Sequence, residues 1–126
     1  MKAPFRGLDH RARGRLGEVE ARDYLAAQGY RVLEKNFSCR SGEIDVIAED
    51  RGVLCFIEIK ARASREFGSA IEAISATKQR RLAKAASLYL ATRPIDMPCR
   101  FDVVAMDLEA GEWRFTLVRD AFQLTG

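Results

Sequence analysis

Apolar and polar positions along the chain recur with two different periods, and each change of period marks a new element. Over residues 11–28 the spacing is helical, with Val19, Ala21, Leu25 and Ala26 on one broad arc and Gly29 as the stop. Residues 31–37 read as a short strand and 38–42 as a turn-prone stretch. Residues 43–49 and 53–60 read as two strands joined at Asp50-Arg51-Gly52. A polar, basic loop over 61–69 leads into a long helix over 70–92, with Ile71, Ile74, Leu82, Ala85, Ala86 and Tyr89 on one side. Pro94 and Pro98 mark a loop, and residues 101–107 and 113–118 form a second hairpin across Glu109-Ala110-Gly111. The order is αβββαββ, which predicts an α/β domain whose mixed central sheet is flanked by helices.

Length and composition narrow the function classes. At 126 residues, without a repeat or a linker, the chain reads as one domain, with residues 1–14 as a basic arm. No apolar run approaches a membrane span and the N-terminus lacks the apolar stretch of a secretion signal, so a cytoplasmic protein without membrane contact is expected. Cys39, Cys55 and Cys99 form no CxxC pair, which disfavours zinc. His10 is the single histidine, so a nucleophile–histidine pair would have to rest on it alone. Any chemistry therefore falls to carboxylates, lysine and a bound metal. Net charge is only +3, but Lys2, Arg6, Arg11, Arg13 and Arg15 stand against one acid, Asp9, in the first fifteen residues. Such an arm suits a polyanion, although a solvated terminus has the same composition.

The run Val53-Leu54-Cys55-Phe56-Ile57-Glu58-Ile59-Lys60 is the most informative stretch. A nearly continuous apolar run is the signature of a strand covered on both faces. Glu58 interrupts it, and an ionised carboxylate there costs on the order of several kcal/mol unless a cation or hydrogen bonds compensate. Asp45, between Ile44 and Val46, repeats the anomaly. If Arg51-Gly52 is a two-residue turn, the register sets Asp45 opposite Glu58 and Glu43 opposite Lys60. Opposed residues share a face with Cβ atoms about 5 Å apart. Two carboxylates so close repel, which a divalent ion between them would relieve. Lys60, two residues beyond Glu58, points the same way and is placed to orient a water, which outlines a site for metal-assisted hydrolysis. On the first helix Glu18 falls inside the apolar arc, a third inward-facing acid; a salt bridge to Arg15 or Arg22 is the alternative.

Glu18, Gly42-Glu43-Ile44-Asp45 and Glu58-Ile59-Lys60 together resemble the PD-(D/E)xK nuclease signature. With Gly17, Gly29-Tyr30, Asn36, Phe56-Ile57, Phe67-Gly68, Lys78 and Arg100-Phe101-Asp102, the chain is similar to the YraN-like bacterial family over residues 15–122. That family is described as predicted endonucleases related to archaeal Holliday junction resolvases. The resemblance implies a restriction-endonuclease-like core, Mg²⁺ or Mn²⁺ as cofactor, and duplex or branched DNA as substrate. It makes Asp45 and Glu58, with the carbonyl of Ile59, metal ligands, Lys60 the water-activating lysine, and Glu18 the helix-borne glutamate of the resolvases. Ile44 stands where the motif's name has proline. For Glu43 the resemblance leaves pairing with Lys60 or Arg62 beside a supporting catalytic role.

Further basic residues are candidates for phosphate contact: Arg62 and Arg65 in the loop after Lys60, and Lys78, with Gln79, on the second helix, whose basic face reads equally as solvated surface. Asp102 reads as a buried ion pair with an arginine. The expected function is a metal-dependent DNA endonuclease, structure-selective or non-specific, with a homodimer implied by analogy to the resolvases. The alternative is a nucleic-acid-binding accessory protein that keeps the fold without cutting. A structural scaffold, with Asp45 and Lys60 as a buried ion pair, is a third.

Overall fold

Two helices and five strands follow one another in the order αβββαββ, as the periods predict. The computed structural model describes residues 10–62, 72 and 74–123, with side chains from residue 17 onward. The elements are α1 (His10–Ala27), β1 (Arg31–Cys39), β2 (Gly42–Asp50), β3 (Val53–Arg62), α2 (Ala76–Ala91), β4 (Cys99–Glu109) and β5 (Glu112–Phe122). The strands lie in chain order in one sheet. Neighbours are antiparallel except β3 and β4, which run parallel and are joined through α2. The mixed sheet follows from this one crossover, because parallel neighbours need a long connection and hairpins do not.

Each face of the sheet carries one helix. Leu82, Ala85, Ala86 and Tyr89 of α2 pack on Leu54, Phe56, Phe101, Val103 and Ala105. Ala21 and Leu25 of α1 pack on Cys55, Ile57, Val104 and Met106. Alternate residues of β3 and β4 therefore enter opposite cores, which explains why both strands are apolar almost throughout. No described helix is long and apolar enough to cross a membrane.

Two expectations from periodicity are corrected. Of the α1 arc, Ala21 and Leu25 are buried, but Val19 is 47% exposed and Ala26 is also exposed. The helix meets the sheet along a narrow stripe, Gly17, Ala21 and Leu25, four residues apart, so the flanks of the arc stay in solvent. The second helix starts at Ala76 rather than at residue 70, because Ser75 is extended (φ −65°, ψ 159°) and its Oγ accepts the Lys78 N–H at 3.1 Å. That cap satisfies one of the helix's free amides and fixes the start. Ile74 is buried ahead of the helix, and Ile71 lies outside the described residues.

Candidate active site

The β2–β3 hairpin turns on Arg51 (φ 49°) and Gly52 (φ 84°), two left-handed residues that match the twist of the strands. The resulting register, Asp50↔Val53 through Val46↔Ile57, is the one the sequence predicts. It ends there. Ile44 and Ile47 both join the α2-side core, whereas Val46 and Ala48 join the α1-side core, so the alternation of β2 slips between residues 44 and 46. Asp45 is thus not a ladder partner of Glu58, nor Glu43 of Lys60, contrary to the expectation of an uninterrupted ladder. Asp45 Oδ2 instead accepts the N–H of Ile59 at 2.8 Å, a side chain closing the place where the backbone pairing stops.

The slip brings acids from both sides of the sheet to one point. Carboxylate oxygens of Glu18 on α1 and of Glu43 and Asp45 on β2 lie within 4.8 Å of one another. On the other side, Asp45 reaches hydrogen-bonding range of Glu58, which is 5% exposed. Burial, then the hydrogen bond to Glu58 and the charge of Glu58, push the Asp45 carboxyl far above the usual range. Glu43 is raised as well, by burial and by the charges of Asp45 and Glu18. Two carboxyl groups in hydrogen-bonding contact need a shared proton or a cation between them. The donors are all carboxylate oxygens, without histidine or thiolate, which suits a hard cation such as Mg²⁺ or Mn²⁺ and not zinc.

Asp45, Glu58, Ile59, Lys60, Ile74, Ser75 and Lys78 line a cleft of about 380 Å³. Lys60 is exposed at its rim, on the same side of β3 as Glu58 by the pleat. Lys78 enters from the N-terminus of α2, its Nζ 3.2 Å from Glu58 Oε2. Ser75 is a cleft residue not expected from the sequence, and Ile74, expected only as part of a helix's apolar side, lines the cleft as well. The signal for Ser75 was present, since serine ahead of Ala76-Thr77-Lys78 is a favoured cap.

Other candidates have different neighbours. Arg62 was expected at a phosphate, but its guanidinium forms a two-pronged pair with buried Asp107, Nε to Oδ1 at 2.8 Å and Nη2 to Oδ2 at 3.1 Å. Only 13% of the Arg62 side chain is exposed, so it is anchored in the sheet rather than offered to a ligand. Gln79 is also turned inward, its Nε2 donating to the carbonyl of Ile74 at 3.2 Å. Asp102 forms the expected ion pair, with Arg100 Nε at 2.9 Å from Oδ1. Arg11, Arg13 and Arg15 fall within α1, but their side chains, and the whole of Arg65, lie outside the described residues.

Comparison with known proteins places the chain among relatives of similar size. The profile of the uncharacterised protein family UPF0102 matches residues 17–106. A UPF0102 protein of Symbiobacterium thermophilum is 50% identical over 111 residues, 86% of this chain and 94% of that protein. Relatives from Syntrophus aciditrophicus and Lachnoclostridium phytofermentans are 43% and 41% identical, each over 121 residues, covering 95% and 94% of this chain and 95% and 99% of theirs.

Proposed function

The chain belongs to the UPF0102 (YraN-like) family, and we propose that it is a metal-dependent endonuclease with a restriction-endonuclease-like core. The observation that carries this reading is Asp45, held against Glu58 where the β2–β3 ladder ends, with more acids than cations around it. Acids set against each other without a guanidinium call for a cation or a shared proton, and the all-carboxylate donor set suits a divalent cation.

In this reading Asp45 and Glu58, with the carbonyl of Ile59, hold the cation. Glu18 and Glu43 stand on the α1 side of Asp45, near enough to share the ion or hold a water of its shell. When bound, Mg²⁺ or Mn²⁺ supplies neutralisation of the phosphodiester charge and acidification of the attacking water. Lys60, at the rim of the cleft, orients that water and stabilises the charge that develops on phosphate oxygens. Among the described residues no aromatic platform or base-reading helix accompanies the acids, so DNA would be selected by backbone and shape, as in branched or non-specific duplex substrates. Arg62 is withdrawn from the DNA-contact set because Asp107 holds it.

The test is cleavage of labelled branched and linear DNA in Mn²⁺ and in Mg²⁺, with Asp45→Asn and Glu58→Gln in parallel. Wild type should cut, and each variant should lose roughly 100-fold or more. Equal residual cutting by all three proteins, or none by any, would reject the endonuclease and favour an accessory protein that binds nucleic acid without hydrolysing it.

A further inference from the structure

Lys78 occupies an electrostatically awkward place. It is the third residue of α2, at the positive end of the helix dipole, where acids are favoured and cations are not. The first turn of α2 contains no acid to offset it. Its compensation comes from Glu58, 3.2 Å away, and from the field of Asp45 and Glu43, whose carboxyls it also influences. Among the described residues Lys78 is the only cation in ion-pair contact with Glu58. The two partners are unequally committed: the Glu58 side chain is 6% exposed, whereas that of Lys78 is 42% exposed. The Arg62–Asp107 pair differs, since both members are enclosed and the guanidinium is held at two points.

We infer that Lys78 is a displaceable counter-ion: it neutralises Glu58 in the metal-free protein, yields Glu58 to a divalent cation, and then takes an oxygen of the bound phosphodiester. This rests on the proposed cation site at Asp45 and Glu58. The charge count leaves room for one divalent ion. With all groups ionised, four acids (Glu18, Glu43, Asp45 and Glu58) face two lysines (Lys60 and Lys78), leaving two negative charges, which one divalent ion cancels. A phosphodiester then adds one negative charge within the same cleft, where Lys78 and the N-terminus of α2 already point. A lysine suits the exchange, because a point charge on a flexible stem can change partners without losing a fixed fork geometry.

Mn²⁺ binding, measured calorimetrically at low salt, separates the possibilities. Lys78→Met should bind Mn²⁺ roughly fivefold or more tightly than wild type, because a competitor has been removed. Lys78→Arg, which keeps the charge, should follow the wild type. Under single turnover at saturating Mn²⁺, Lys78→Met should cut roughly 100-fold more slowly, with partial recovery in Lys78→Arg. Lys78→Gln serves if the methionine variant fails to fold. Mn²⁺ binding by Lys78→Met that equals or falls below wild type overturns the competition, and undiminished cleavage overturns the phosphate role. If instead Asp45→Asn binds Mn²⁺ as tightly as wild type, the underlying cation site is refuted whatever the Lys78 variants do.

Discussion

The β2–β3 hairpin carries buried acids at both of its ends, and the two ends treat them in opposite ways. At the turn, Asp50 Oδ2 receives Arg100 Nη2 at 2.5 Å and Arg119 Nε at 3.1 Å. On neighbouring β4, Asp102 receives the Tyr30 hydroxyl at 2.6 Å, Arg100 Nε at 2.9 Å and the Asp120 N–H at 2.8 Å. The Arg100 hydrogen bond, together with Arg119, holds the Asp50 carboxyl below its ordinary range despite burial. Burial and Asp102 push the Tyr30 hydroxyl well above its own, so it remains a donor. At the open end, Asp45 meets Glu58 and the acids of Glu18 and Glu43, with lysines in place of arginines, and its carboxyl is raised. At the turn end each acid has a guanidinium partner, although Asp50 Oδ1 accepts no hydrogen bond. The open end is short of positive charge. A buried acid in an apolar strand is therefore not itself a mark of function; what its neighbours leave uncompensated is.

This contrast breaks most sharply under substitution. Asp102→Ala removes the common acceptor of Tyr30, Arg100 and Asp120 and leaves Arg100 with Asp50 and the Tyr30 hydroxyl. It should cost about 3–5 kcal/mol, read from urea unfolding. Asp45→Asn should do the reverse in metal-free protein. The folded-state carboxyl of Asp45 is raised, so its contribution to stability is full below the ordinary aspartate value of 3.8 and is lost as pH rises towards the folded value. Wild type without metal should therefore lose stability as pH climbs above that range, and Asp45→Asn should flatten the decline. Asp50 has the opposite sign: its stabilisation is present above the ordinary value and is lost as pH falls through the lowered one. A melting series across both sides of about pH 4 distinguishes the two limbs, Asp50 below it and Asp45 above it. The smallest effect belongs to Ser75→Ala, about 1 kcal/mol from loss of the α2 cap, measured by thermal unfolding.

Much of this was legible before any coordinates. The turn at Arg51-Gly52 and the apolar run of β3 are local signals, and together they fix the register as far as Val46↔Ile57. Polar interruptions of that run, Asp45 and Glu58, then mark the site. The slip of β2 between residues 44 and 46 was not legible, because it depends on Ile44 turning to the α2 core. Nor was the fate of Arg62, whose partner Asp107 is 45 residues away on β4. Asp102 shows the mixed case: its type of partner could be read from charge in an apolar strand, but Tyr30, 72 residues earlier, could not. Chain-local periodicity carries the elements; pairings set by the parallel β3–β4 contact and by helix docking need the assembled sheet.

The most direct test of the central claim is anomalous scattering from crystals of the protein grown with Mn²⁺ and a short DNA. The account expects a manganese peak about 2.0–2.3 Å from carboxylate oxygens of Asp45 and Glu58, with Lys78 turned from Glu58 to a phosphate. Manganese bound elsewhere, with Asp45 still against Glu58 and Lys78 still on Glu58, would contradict it.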